Sequence, residues 1–278
     1  MKKYKPTTPG RRGMSVIEYK KLLTTSKPNK KLTLGRKRAV GRGASGKITT
    51  RHKGGGVKRR YRLVDFKYDK KDIPAKVATI EYDPNRSGFI AILNYADGEK
   101  RYILVPQGVK VGDVVIVSEN APVKSGNRMP LANIPVGTYV YNVELKPNGG
   151  AKIARSAGIH AEVIAQDEGV THIKMPSSEI RKIISTAWAS IGEVSNSEHR
   201  LVNIGKAGRK RKMGVRPTVR GSAMNPVDHP HGGGEGKQGI SLRRGPKTAQ
   251  GKLAYGVKTR KAKKYSNAMI VNRRKTKR

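Results

Sequence analysis

The chain has no cysteine. Disulfides and thiolate–zinc centres are therefore excluded, and a reducing compartment is compatible with the sequence. Aromatic residues are scarce: one tryptophan, two phenylalanines and eleven tyrosines. That is too few for a platform on which successive bases of a single strand stack, and it points to recognition of a folded nucleic acid by backbone and shape. Acidic residues are scarce too, 19 against 60 lysines and arginines. No apolar run approaches the length needed to cross a membrane. The opening MKKYKPTTPGRRGMS is basic but lacks the apolar region of a secretory signal, and its prolines and few arginines suit a transit peptide poorly. There is no internal repeat.

What the chain has in excess is positive charge, net +41, and it is unevenly placed. Residues 1–62 hold 21 basic residues and one acidic; residues 63–199 hold 16 of each; residues 200–278 hold 23 basic and two acidic. A neutral middle, long enough for one core or two small ones, is flanked by two basic arms. The arms are poor in large apolar residues, so alone they are expected to be disordered and self-repelling. Such a charge exceeds what solubility requires, and the natural partner is a polyanion, nucleic acid before an anionic membrane surface.

Along the chain, Ser15 and Glu18 have capping-box spacing and predict a short helix in which Val16, Tyr19, Leu22 and Leu23 share a face. Residues 27–62 form a basic linker whose Gly54, Gly55 and Gly56 sit among Arg51, His52, Lys53, Lys58, Arg59 and Arg60. Backbone amides and cations together can follow phosphates; no GK[ST] on a helix follows, so this is not a nucleotide-binding P-loop. From Leu63 the pattern turns to short strands: 77–82, 88–95, 101–106 and 113–118, with Asp97-Gly98 as a hairpin turn. They predict a small barrel. Asp83, Pro84 and Asn85 make a turn that leaves Arg86 at its tip. After a linker at 119–134, strands at 138–145, 151–155, 160–166, 170–175 and 179–185 predict a second barrel, with Trp188 in core packing near its end.

The most distinctive stretch is GVRPTVRGSAMNPVDHPHGGGEGK, Gly214 to Lys237. Its prolines and glycines suit neither a helix nor a central strand, and Arg216 and Arg220 supply planar cations suited to phosphate. It reads as chain built to lie against a large anion. A basic loop with Lys206, Arg209, Lys210 and Arg211 feeds into it. His229 and His231 flank Pro230, with Asp228 and Glu235 nearby. Two histidines with sparse carboxylates make a weak metal signal, and no nucleophile or shaped pocket is marked. Hydrogen bonding to RNA or stacking on it suits them better, whereas His52, His160, His172 and His199 read as structural, His52 also standing with the cations around the glycines as a candidate RNA contact.

GVRPTVRGSAMNPVDHPHGGGEG resembles the signature of the universal large-subunit ribosomal protein 2 (L-two) family in its bacterial form. YKPTTPGRRGMS and GKITTRHKGGGVKRRYRLVDF resemble that family too, so the likeness runs over nearly the whole chain. It is weakest after residue 237, where QGISLRRGPKTAQGKLAYGVKTRK replaces the family's TPWG-like segment and retains only GVKTRK. The resemblance implies a mainly β protein: an N-terminal extension (1–59), an OB-fold RNA-binding barrel (60–125), an SH3-like barrel (126–199) and a Gly-rich C-terminal extension (200–278). It implies a structural, non-enzymatic constituent of the large ribosomal subunit that binds 23S-type ribosomal RNA, supports assembly and subunit association, and organises RNA near the peptidyl transferase centre. Arg86 and Arg155 match the family's RNA contacts, and the histidine matching His229 is one discussed for the peptidyl transferase region. With the cations above, Asn225, His229, His231 and Lys237 complete the expected RNA-binding set. The expected partners are large-subunit ribosomal RNA, neighbouring ribosomal proteins and the small subunit, with no membrane and no homo-oligomer. No cofactor or protein-held metal is expected, Mg2+ entering only as ions bound to the RNA. The location implied is a ribosome in the cytoplasm, bacterial before organellar. The competing readings are a general nucleic-acid condenser, for which the well-patterned middle is superfluous, and an RNA-processing enzyme, for which no acidic cluster is present to hold a metal.

Overall fold

The computed structural model describes residues 1–235, 239–240 and 242–274. The chain divides into two compact units: Met1–Lys37, Lys58–Lys206 and Ala268–Arg278 form the first, and Arg38–Val57 with Ala207–Asn267 the second.

The first unit opens with a ladder between β1 (Lys2–Lys3) and β2 (Ser15–Val16). The helix predicted to start at Ser15 is therefore corrected: α1 is one turn, Tyr19–Leu22, with Glu18 at its N-cap and no side-chain capping bond. Ser15 Oγ accepts the amide of Asn203 at 2.8 Å, and the Ser15 amide donates to the Asn203 carbonyl at 3.0 Å. A tertiary pairing overrides a local capping signal. β3 (Thr33–Gly35) then pairs with β4 (Arg60–Arg62).

β5 (Ala75–Glu81), β6 (Ile90–Tyr95), β7 (Lys100–Leu104) and β8 (Val114–Val115) form an antiparallel sheet in the order β7-β6-β5-β8. Asp97-Gly98 turns β6 into β7 as expected, with Gly98 at φ +83° and its amide donating to the Tyr95 carbonyl. Val64 bridges Tyr102 in parallel at the sheet's far edge. β6 is buried at every position but Asn94 because it is covered on both faces. Ala91, Leu93 and Tyr95 face the main core, while Ile90 and Ile92 pack with Tyr102.

Next come β9 (Arg128–Pro130), β10 (Tyr139–Tyr141), β11 (Val143–Glu144), β12 (Ala151–Ile153), β13 (Ala161–Asp167), β14 (Val170–Lys174), β15 (Ile180–Ile184), β16 (Trp188–Ile191) and, near the C-terminus, β17 (Ile270–Asn272). Seven of them form one sheet, β17-β15-β14-β13-β10-β16-β9, and β11 pairs with β12 separately. The strand expected over 138–145 is split at Asn142, whose φ of +51° breaks the extended run. β9, β16 and β17 are not foreseen by the sequence patterns. β9 carries Pro130 and is tolerated as the edge of its sheet, where a missing donor costs no ladder bond. The architecture is mainly β, an OB-fold barrel followed by an SH3-like barrel.

The barrels exchange side chains. Leu104, from the first, lies in the second core with Met129, Val140, Val163 and Ile173. Trp188 and Ala151, from the second, lie in the first core with Val77, Leu93 and Ile103. Beside them Arg128, 1% exposed, donates to Glu144 Oε1 at 2.9 Å and to the Asn142 and Trp188 carbonyls at 2.8 and 3.3 Å. Its guanidinium lies 4.4 Å from the Tyr68 ring centre. Burial pushes the Tyr68 phenol up to about 12, the Arg128 charge opposing part of that shift. Both terminal nitrogens of Arg128 donate to acceptors and the guanidinium lies against a π-face, conditions under which a buried cation is tolerated.

The second unit has no named strand among the described residues. It holds α2 (Ala207–Lys212), single 3-10 turns at Gly221–Ala223 and Tyr265–Asn267, and turns closed by backbone bonds.

Candidate nucleic-acid interface

In the first unit, Arg86 and Arg155 converge. The loop after β5 is an Asx turn: Asp83 Oδ1 accepts the Asn85 amide at 2.8 Å. Arg86 does not stand out at the tip. It folds back so that Nε donates to the fully buried Asp83 Oδ2 at 2.6 Å. Arg155, beyond the end of β12, donates to the Ala151 carbonyl at 3.2 Å. Both guanidinium groups lie against one ring, that of Phe66, at 5.2 and 4.6 Å from its centre. The Ala151 amide in turn donates to the Phe66 carbonyl at 2.7 Å. One cation from each barrel is thus fixed on a shared aromatic surface, and fixing cations in advance lowers the entropy lost when they meet phosphates. The sequence did not single out Phe66 or the pinning role of Asp83; the DPNR turn held a clue to Asp83 alone.

The loop also joins β4. Arg59 Nη1 donates to the Pro84 carbonyl at 2.8 Å, and Asn85 Nδ2 donates to the Arg60 carbonyl at 2.9 Å. Beside this junction a groove of about 450 Å3 is lined by Lys58, Arg59, Arg60, Lys30 and Arg36, with Thr33, Leu34 and Gly35. Arg36 lies over the Tyr61 ring at 5.4 Å. Lys30 and Arg36 were not among the expected contacts, because only the β3–β4 pairing carries them to Lys58–Arg60. Lys206 is exposed, also in this unit.

The second unit brings the two Gly-rich basic stretches together. The Arg216 amide donates to the His52 carbonyl at 3.0 Å, the Gly54 amide to Gly214 at 3.0 Å and the Val57 amide to Lys212 at 2.9 Å; Lys53 bridges Val215. Glycine is required for this approach: a Cβ on Gly56 would lie 2.8 Å from the Gly214 nitrogen. Arg51, Lys53 and Arg216 stay exposed along the zipper. α2 adds Arg209, Lys210 and Arg211 in its last turn, where cations suit the helix dipole.

From Arg220 the chain folds into a tight knot. The Asn225 carbonyl accepts the amides of Asp228 and His229 at 3.0 and 3.2 Å. The His229 ring lies so close to Gly221 that a Cβ there would be 2.5 Å from it. His229 Nδ1 accepts the His231 amide at 3.0 Å, and His231 Nε2 accepts the Lys247 amide at 2.7 Å. Both imidazoles therefore serve as acceptors that shape the loop, with ring centres 4.6 Å apart. Arg220 and Asn225 are exposed on this knot. Lys237 lies outside the described residues. Among the described residues no three His, Cys, Asp or Glu side chains are grouped to hold a metal ion.

Two family models match the chain. Ribosomal Proteins L2, RNA binding N-terminal domain, matches residues 29–117, and Ribosomal Proteins L2, C-terminal domain, matches residues 124–251. The N-terminal match includes Phe66, Arg86 and the groove cations Lys30, Arg36 and Lys58–Arg60; the C-terminal match includes Arg155 and the His229 knot.

Proposed function

Since the chain belongs to the ribosomal protein L2 family, we propose that it is a structural protein that clamps large-subunit ribosomal RNA of 23S type, with Arg86 and Arg155 as the central contacts. A ribosomal, RNA-binding role follows from the family itself. Within that role we assign residues 60–125 and 126–199 to specific recognition and residues 1–59 and 200–278 to extensions that neutralise phosphate and support assembly. The observation that carries this reading is the shared Phe66 ring beneath Arg86 and Arg155. Two guanidinium groups held at one surface suit closely spaced phosphates, each contact releasing counterions. Arg51, Lys53, Lys58, Arg59, Arg60, Lys206, Arg209, Lys210, Arg211, Arg216 and Arg220 then follow the backbone, while His52, Asn225, His229, His231 and Lys237 contact RNA around the glycine loops.

The His229 knot is read as an organiser of RNA at the peptidyl transferase centre, not as an acid or base, since its histidines are engaged in shaping their own loop. Contacts with neighbouring ribosomal proteins and the small subunit, a bacterial cytoplasmic ribosome, and Mg2+ held by RNA alone complete the proposal. The test is competition binding of the full chain to large-subunit ribosomal RNA against excess unrelated RNA across a salt series. Arg86→Ala or Arg155→Ala is expected to cost about 2 kcal/mol of selective affinity, well beyond loss of one exposed lysine. Equal small losses at all positions, or no preference for ribosomal RNA, would favour a general condenser.

A further inference from the structure

We propose that β17 is an anchoring strand that makes the segment after Lys206 meet RNA as a closed loop instead of a free tail. The inference rests on the RNA-binding reading above. The chain passes into the second unit at Ala207 and returns to the first at Ala268. The return is made by β17, which pairs antiparallel with β15: Arg181 opposes Ile270 and Ile180 opposes Asn272. The Lys182 amide donates to the Met269 carbonyl at 2.8 Å. β17 thereby covers what would otherwise be an open edge of the seven-stranded sheet.

Closing a loop of about 60 residues removes part of the chain entropy that a free tail would lose on binding. The loop carries Arg209, Lys210, Arg211, Arg216, Arg220 and the His229 knot, so its closure acts on many contacts at once. The anchor itself is slight. The pairing shifts register between Ile180 and Arg181, and Val271 is 51% exposed. Arg181 and Lys182 on β15 face the apolar Ile270 and Met269, and Arg181 Nε is held by Glu179 Oε1 at 3.3 Å, so the charge on β15 is partly balanced by the residue just before the strand. RNA that binds the closed loop more tightly than an open one favours the paired strand. RNA binding and strand pairing are then linked, and each strengthens the other by the same factor.

β17 is a positioning element, so the test separates affinity from the number of phosphate contacts. Ile270→Pro deletes no cation. It is expected to abolish amide protection at Lys182 in hydrogen exchange and leave Trp188 fluorescence unchanged. It should weaken ribosomal RNA binding about three- to tenfold with the slope of log affinity against log salt preserved. Ile270→Val should restore both protection and affinity. In the wild type, RNA should increase protection at Lys182. Unchanged affinity in Ile270→Pro, a reduced salt slope, or an unprotected Lys182 amide in the wild type would overturn the proposal. Loss of ribosomal RNA selectivity in the wild type would instead overturn the functional reading on which it depends.

Discussion

The two units are held together by different physics. The first owns every buried apolar side chain among the described residues, organised into two cores and a small satellite. The second buries none: Val40, Ile48, Val215, Val227 and Tyr255 all stand exposed, and Val227 is 91% exposed. It is shaped by backbone hydrogen bonds and by glycines that let two chains touch. Apolar burial is the main source of folding free energy, and hydrogen bonds add little net once water is counted. The first unit therefore has cores of its own to stabilise it, while the second relies on backbone hydrogen bonds without a core among its described residues. Charge follows the cores, not the units: every buried residue of the core clusters comes from the neutral middle of the sequence, while Met1–Lys37 and the start of Lys58–Lys206 give the first unit basic chain of its own.

The contrast can be broken most severely at Arg128. Arg128→Ala leaves the Glu144 carboxylate buried without its partner and should destabilise the barrels by about 3–5 kcal/mol in urea unfolding. A double change to Met at 128 and Leu at 144 should recover most of that loss. Alkaline titration comes next. Burial raises the phenols of Tyr68, to about 12, and of Tyr141 above their ordinary value. A phenol with a raised folded pKa stays protonated in the fold after the unfolded chain has lost its proton. Stability is thus full below about pH 10 and should fall above it, by about 1.4 kcal/mol per pH unit for each such phenol. Unfolding monitored at Trp188 between pH 9 and 12 measures this; a flat profile would mean the phenols ionise in place. Third, Gly56→Ala should open the zipper between 52–57 and 212–216. Ribosomal RNA affinity should drop about tenfold while the barrels' melting temperature stays constant, because nothing in their cores is touched. A shifted melting temperature would show that the two units are not energetically separate. The smallest effect is expected at Lys258, an exposed cation of the second unit. Lys258→Ala should lower affinity about twofold for any RNA sequence and reduce the salt slope by about one.

The sequence disclosed what depends on local pattern. The apolar, strand-forming run around Ile90–Tyr95, the Asp97-Gly98 turn and the division of charge along the chain were all readable without coordinates. Arg86 and Arg155 could be named only through a family resemblance, because a surface arginine beside a turn carries no local mark of its role. Phe66 escaped notice since its task depends on two arginines 20 and 89 positions away in the chain. β9 was hidden by a proline and a charge that make it look like a linker, yet Arg128 is buried because Glu144 and three carbonyl or hydroxyl oxygens await it. Ser15 shows the opposite failure: a strong local signal for a helix, overruled by Lys2–Lys3 and Asn203. The zipper between the glycine stretches was invisible for the same reason, since neither half contains any feature that specifies the other.

The exchange of Leu104 and Trp188 between the barrel cores also bears on how the protein comes into being. A nascent chain emerges from its N-terminal end, and domains generally fold as units in that order. Here the first barrel lacks the indole that fills its interior until residue 188 has been synthesised, and the second lacks Leu104 only if the first has misfolded. Neither barrel can serve as a finished template for the other. The pair should reach its native packing in one late, cooperative step, after translation has passed β16.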